Sequence, residues 1–546
     1  MIEPLAVERH FCRVQDRWIH YRRLGHGPAV LLFHQTPQSS QTMEPLMRLL
    51  AKHCTAIAVD TPGFGQSDTL PDTVWSMAAL SDLMLAFMDQ LGLETVGVCG
   101  QHTGAAMAAE LARRHPSRVL ALALDGIPLF NAQECQTILP HQLYRFVPTA
   151  DGSHLTWAWS RFRDGWMFFP WSERHLSNRR DVDMPNADTM HRGQIMELLR
   201  SRESHLHIYP GVFMWDGGAA LAALSQPAWL GTTADDQLFP HLERIPAGVP
   251  RQEIHRLPHQ DREALRMAQA DWMCKQLMAA CAPAAPANPP LDGLPTPDGR
   301  WRAYVAGRCL LAERWETKSA VTVVLHGAGS AARCELARCR TLIAGPLCAI
   351  DLPGHGDDTG DLMSPTATAQ ALQTVIESLD VPSYRLWGRG LGAAVALQWA
   401  ADARARERPL PEALTVCELK LWTDAERSRW PSQYTLPLTP DWDGSYLIRL
   451  WHQIRDRELF HPWFERTRAT IRPVEPQLDA DLLTHEVFAA LCCRDWAGSH
   501  RSWLAWRADT VGEIGPVDVT FLVTPGDGWA RDMVSLQDLF AAKAAR

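Results

Sequence analysis

The sequence predicts an α/β protein of two tandem domains, each a mostly parallel, doubly wound sheet carrying a helical cap insert. Three observations lead there. At 546 residues the chain is longer than one hydrophobic core usually supports, so two cores are expected. An internal repeat runs through it: the strand-like VLLFHQTP with His34 returns 292 residues later as VVLHGAGS with His326. Within each copy, apolar runs of strand length alternate with helix-like stretches, which is the rhythm of βαβ units.

In the first copy the apolar runs 29–33, 55–59, 96–99 and 119–124 are too continuous for half-exposed strands and suit the interior of a parallel sheet. Stretches 78–91 and 104–115 read as the helices between them. A long, aromatic, mostly helical insert follows at about 128–224, with a counterpart at about 419–511. The register persists across the inserts. DTPGFGQSD at Asp60 returns as DLPGHGDDT at Asp351, Trp159 falls on Trp451, Asp164 on Asp456, and Pro170-Trp171 on Pro462-Trp463. Late in each copy, WLGTTADD and FLVTPGDG align Thr232 with Thr524 and Asp235 with Asp527. Between the copies, 280–300 is dense in Pro and Ala and suits a semi-rigid extended connector. The expected domains are therefore 1–279 and 301–546.

The net charge of -9, with Lys and Arg scattered, gives no basic footprint for nucleic acid or an anionic membrane, which leaves a small-molecule substrate or hydrophobic ligand as the expected partner. Thirteen cysteines without a repeated CxxC framework suit reduced thiols. Residues 1–14 contain no apolar run of signal-peptide or membrane-helix type, so a cytoplasmic location is expected. The 22 histidines show no HExxH or Cys/His ligand spacing, and no metal is expected. Gly63-Phe64-Gly65 and Gly354-His355-Gly356 lack the dinucleotide-binding context, so no cofactor is expected either. Many of the 22 tryptophans lie in the inserts, where they read as core with a minority lining a ligand pocket. Stretch 192–202 reads as a solvated helix face.

The chemistry-bearing feature is Gly100-Gln101-His102-Thr103-Gly104, which joins an apolar strand to an Ala-rich helix. Such a turn strains its central residue and needs small flanking residues so that helix and strand can approach. In the second copy the same turn reads Gly388-Arg389-Gly390-Leu391-Gly392. Together with the His34-Gln35-Thr36 loop, the D-x-P-G-x-G-x-S turn at Asp60, and a late acid followed by a late His, this ordered set resembles the α/β-hydrolase superfamily over nearly all of both copies. The resemblance implies that positions 102 and 390 are nucleophile elbows, where Ser, Cys or Asp is usual. Here they carry His102 and Gly390. It implies Asp235 as the acid, with Asp236 and Asp125 as alternatives, and His259 in RLPHQD as the base. It further implies oxyanion donors at the Thr103 N–H and in the His34-Gln35-Thr36 loop, with Thr36 the expected donor.

The functional expectation is a cofactor-free enzyme acting on a small carbonyl compound (ester, thioester, amide or C–C bond). His102 and His259 would handle protons, Asp235 would orient His259, and Thr36 and Thr103 would hold the oxyanion. The alternative class is a catalytically silent binding or scaffolding protein with His102 as a neutral filler. Two further readings stay open: a nucleophile displaced to Thr103, Ser39 or Ser40, and a metal held by His102, His259 and an Asp. In the second copy no His follows His500, and the equivalent of His259 would fall near position 551. That copy is expected to be a degenerate pseudo-domain whose 519–523 strand is a sheet edge open to pairing, including homo-oligomerisation. Deleting 303–546 is expected to leave the first copy insoluble or inactive, and a soluble, fully active fragment would rule this out.

Overall fold

The computed structural model describes residues 6–71, 73–247, 251–289, 295–316, 319–379, 381–435, 438–522 and 534–540. The chain divides into two compact units, Met1–Val147 with Trp157–Asp292 and Pro148–Thr156 with Gly293–Arg546. The division falls inside the Pro/Ala-rich stretch, and the short segment Pro148–Thr156 of the first insert groups with the second unit.

In the first unit, β1 (Glu8–Val14), β2 (Arg17–Leu24), β3 (Ala29–Phe33), β4 (Thr55–Val59), β5 (Val96–Gln101), β6 (Val119–Asp125), β7 (Ala228–Thr233) and β8 (Gln252–Leu257) form one sheet in the order β1-β2-β4-β3-β5-β6-β7-β8. The β1–β2 and β2–β4 pairs are antiparallel and the rest are parallel. Every residue of β3 and β4 is buried, because helices cover both faces and period-2 alternation sends successive side chains to opposite cores. Leu31, Phe33, Ile57 and Val59 join one core cluster, while Val30, Leu32, Ala56 and Ala58 join the other.

The elements that build the site are α1 (Thr103–Arg114) after β5; α2 (Ser153–Met167), α3 (Met196–Ser201) and α4 (His205–Phe213) in the insert between β6 and β7; and α5 (Arg262–Ala279) after β8. The stretch expected to be a solvated face is not one. His191–Ile195 forms a π-helical turn that leads into α3, and this turn carries Glu197 inward, where it is 3% exposed.

In the second unit, β9 (Trp301–Val305), β10 (Arg308–Glu313), β11 (Val321–Leu325), β12 (Leu347–Ile350), β13 (Tyr384–Arg389), β14 (Ala413–Cys417) and β15 (Asp518–Leu522) follow the order β9-β10-β12-β11-β13-β14-β15. This is the succession of the first seven strands of the other sheet. Helices α6 (Leu391–Ala405) and α7 (Trp496–Ala505) occupy the place after the elbow strand and the late part of the insert. Among the described residues β15 pairs only with β14. Thr524 and Asp527 lie outside the described residues. Among the described residues, no helix is long and apolar enough to cross a membrane.

Candidate active site

The turn from β5 into α1 holds His102 at φ 48°, ψ −110°, a conformation that side chains other than glycine rarely adopt. The flanking glycines explain how the chain tolerates it. A Cβ on Gly100 would stand 2.2 Å from the Gly104 carbonyl oxygen, and one on Gly104 would stand 2.1 Å from that of Phe33. Strand and helix therefore meet backbone to backbone. The His102 N–H donates to the Asp125 carbonyl at 2.9 Å, tying the elbow to β6. Thr103, the first residue of α1, has one of the helix-start N–H groups that find no partner within the helix.

The His102 imidazole points to Asp236, with Nε2 lying 3.1 Å from Oδ1 and 3.0 Å from Oδ2. Gly126, at φ +64°, makes room for the ring, since a Cβ there would lie 2.5 Å from His102 Cδ2. Asp236 also accepts from Arg262 Nη2 at 2.5 Å and from the Leu238 N–H at 2.8 Å. Arg262 in turn pairs with Asp125 at 3.2 Å, and Thr232 Oγ1 donates to Asp125 at 2.8 Å. Burial opposes ionisation of Asp236, yet His102 and Arg262 outweigh it and hold the carboxyl well below the usual range. Asp125 is pushed the other way, first by burial and then by Asp236, with Arg262 opposing. An ionised Asp236 accepts only, so Nε2 carries the imidazole proton and Nδ1 is the basic nitrogen, an assignment made from the hydrogen-bond network. Among the described residues, Nδ1 has no hydrogen-bond partner.

The loop after β3 is braced from several sides. His34 is 1% exposed; its Nδ1 donates to the Gln35 carbonyl at 2.9 Å and its Nε2 accepts from the Thr61 N–H at 2.9 Å. Burial lowers its pKa, so it is a neutral strut. Gln35 Nε2 donates to Gln38 Oε1 at 2.9 Å, and the Thr36 carbonyl accepts from Tyr209 of α4 at 3.1 Å. Asp60 accepts from the Ser40 N–H at 2.7 Å and fixes the loop's far end. Two of the three candidate displaced nucleophiles are already engaged: Ser39 Oγ donates to Glu197 at 2.8 Å and Ser40 Oγ accepts from Arg22 at 2.5 Å.

The expected Asp235–His259 pair is not formed. Asp235 accepts from the Gln260 N–H at 2.6 Å, and His259, with a side chain 43% exposed, lies 2.5 Å from the Asp181 carbonyl oxygen. The reason is local: the Asp236 N–H bonds back to the Thr233 carbonyl, and this turn sends the second of the two adjacent carboxylates inward. Among the described residues, no hydrogen bond joins His102 to His259, and no group of three metal-ligating side chains occurs. Arg262 was not anticipated from the sequence. Its only sequence signal is a basic residue opening a helix directly after Asp261, close behind His259.

The second unit repeats the shape of this turn with no side chain at its tip. Gly390 stands at φ 54°, ψ −114°, and a Cβ there would meet the Trp503 indole of α7 at 3.6 Å. His326 repeats the His34 strut, with Nδ1 2.8 Å from the Gly327 carbonyl and Nε2 accepting from the Leu352 N–H at 3.0 Å.

Residues 28–163 match the alpha/beta hydrolase fold family. This segment runs from the edge of β3 through the elbow into α2, and the first unit has that fold. An uncharacterized protein of Mycobacterium tuberculosis is 36% identical over 116 residues, 20% of this chain and 34% of that protein. A fluoroacetate dehalogenase of Burkholderia sp is 31% identical over 159 residues, 28% of this chain and 48% of that protein. The chain thus spans about a third to a half of the length of these relatives. Among solved structures, a bromoperoxidase from Bacillus anthracis is 15% identical, covers 50% of this chain and 100% of its own, and has a TM-score of 0.40.

Proposed function

We propose that the first unit is a cofactor-free hydrolase of small carbonyl compounds in which His102 acts as general base rather than nucleophile. The observation that carries this reading is the His102–Asp236 dyad at the elbow tip, with Nε2 engaged and Nδ1 open. It joins base and orienting carboxylate at the position where relatives of this fold usually carry a nucleophile. Asp236 takes the orienting role expected of Asp235, and His259 has no part in proton transfer.

The step balances as follows. A water gives a proton to His102 Nδ1 while its oxygen attacks the carbonyl carbon. The resulting oxyanion is held by the N–H groups of Thr103 and Thr36, and collapse expels the leaving group, which takes the proton from the imidazolium. The second unit, with Gly390 under Trp503, is a pseudo-domain in a tandem α/β-hydrolase arrangement.

A second reading has one observation in its favour. Arg262 neutralises Asp236 at 2.5 Å, a contact that would also suit a silent ligand pocket. Turnover on a panel of esters, thioesters and amides separates the two. The wild-type chain is expected to turn over at least one compound of the panel and His102→Ala none, whereas ligand binding with no turnover across the panel would establish the binder.

A further inference from the structure

The cap of the first unit contains a cation that its own residues leave without a counter-charge. Arg161 of α2 is 9% exposed, and its guanidinium carbon lies 4.5 Å from the Tyr144 ring centre and 5.1 Å from that of Trp171. Among the described residues its one hydrogen bond is a long one, Nη2 to Gln142 Oε1 at 3.5 Å, and its buried Nε has no partner. Among the described residues it forms no ion pair. Removing a guanidinium from water without an anion is unfavourable, and ring faces offset only part of that cost.

Arg161 is connected to the elbow from two directions. Tyr144 stacks on His205 at 4.2 Å, His205 meets Tyr209 edge-on at 6.0 Å, and Tyr209 bonds the Thr36 carbonyl of the oxyanion loop. On the other side, a Cβ on Gly165 would stand 3.1 Å from Arg161 Nη1, so the glycine leaves space for the guanidinium. The carbonyl of that same Gly165 accepts from Arg180 Nη1 at 3.1 Å, and Arg180 reaches the Asp235 carbonyl at 3.5 Å. Arg180 also forms no ion pair among the described residues.

The repeat supplies an independent comparison. In the register that carries Trp171 onto Trp463, Arg161 falls on neutral Gln453 and Gly165 on Arg457. Arg457 is bonded to the His500 ring at 3.1 Å. The second unit therefore carries its buried arginine one helical turn later, over the Tyr434 and Trp496 rings, with a neutral side chain at the place of Arg161.

We infer that Arg161, with Arg180 beside it, receives a carboxylate of the substrate, so that the compound hydrolysed carries an ionised carboxyl group in addition to its reacting carbonyl. The planar guanidinium fork matches a carboxylate bidentately, and the aromatic walls suit a short hydrocarbon spacer. This inference names the substrate class for the site under Proposed function and rests on that reading for the reaction, though not for the binding.

The test is calorimetric titration of the full chain with succinate, glutarate, succinamide and inorganic phosphate. At least one dicarboxylate is expected to bind and the diamide not to. Arg161→Gln, the residue the second unit carries at this place, should weaken binding at least tenfold, with Arg161→Lys intermediate. His102→Ala should bind the dicarboxylate as the wild type does, so failure of the hydrolase reading leaves this result standing. The inference is overturned if neither dicarboxylate binds, if succinamide binds equally well, if phosphate binds and the dicarboxylates do not, or if a folded Arg161→Gln chain binds undiminished. Should Arg161→Gln not fold, the comparison of acid with amide on the wild-type chain decides alone.

Discussion

Replacing Asp236 with Asn changes a single atom type at the centre of the buried charge cluster. The carboxylate accepts from His102 Nε2 at 3.0 Å, Arg262 Nη2 at 2.5 Å and the Leu238 N–H at 2.8 Å. A carboxamide can keep some of these contacts, but its NH2 group donates. Turned toward the ring, it forces the imidazole proton onto Nδ1 and removes the base. In a Ser-His-Asp site the same carboxylate-to-amide change costs about 10⁴ in kcat through the wrong tautomer, and a loss of that order is expected here.

Stability should fall as well. Removing one partner of a buried pair costs roughly 3–5 kcal/mol, but Arg262 is 29% exposed and keeps Asp125, so about 2 kcal/mol is expected. The folded pKa of Asp236 is depressed, so its contribution is present above the unfolded carboxylate value near ~4 and is lost as pH falls toward the folded value. The stability gap between wild type and Asp236→Asn should be flat above about pH 5 and narrow below about pH 4. Urea denaturation across that range, with turnover measured on the best ester of the panel, checks both. Wild-type turnover in Asp236→Asn together with a dead Asp235→Asn would refute the dyad and return the acid to Asp235.

Three other substitutions probe the same structure. Gly126→Ala puts a methyl group 2.5 Å from the His102 ring at φ +64°, so turnover should drop sharply while stability falls by about 1–2 kcal/mol, read from melting and rates together. Burial pushes the Glu197 pKa up to about 7, with Arg200 and Ser39 opposing. The unfolded chain therefore ionises before the folded one, and wild-type stability is lost as pH rises from about 4 to 7. Glu197→Gln should match wild type near pH 4 and exceed it by about 3 kcal/mol above pH 7; a pH-independent difference would contradict the burial argument. Gly390→Ala, at φ +54°, should lose about 1–2 kcal/mol in denaturant melts with no change in turnover.

Much of the fold was legible because it is written in consecutive residues. The continuous apolar runs of β3 and β4, the Ala-rich helix after the elbow and the glycines at 100 and 104 each state a local requirement that needs no knowledge of distant contacts. The register of 292 residues likewise exposed the second sheet and its bare elbow at Gly390.

The charge cluster was legible only in part. Asp235 and Asp236 are neighbours of the same type, and nothing in their spacing says which one enters the core. The turn from Thr233 to Asp236 decides it, and the contact it creates joins residues 134 positions apart. The strained strand-to-helix turn at position 102 was legible in the sequence, because backbone strain and close approach are local demands. Which carboxylate and which cation surround it, and that His259 faces the Asp181 carbonyl instead, were decided by tertiary structure, since side-chain direction at strand ends depends on what the rest of the chain packs against them.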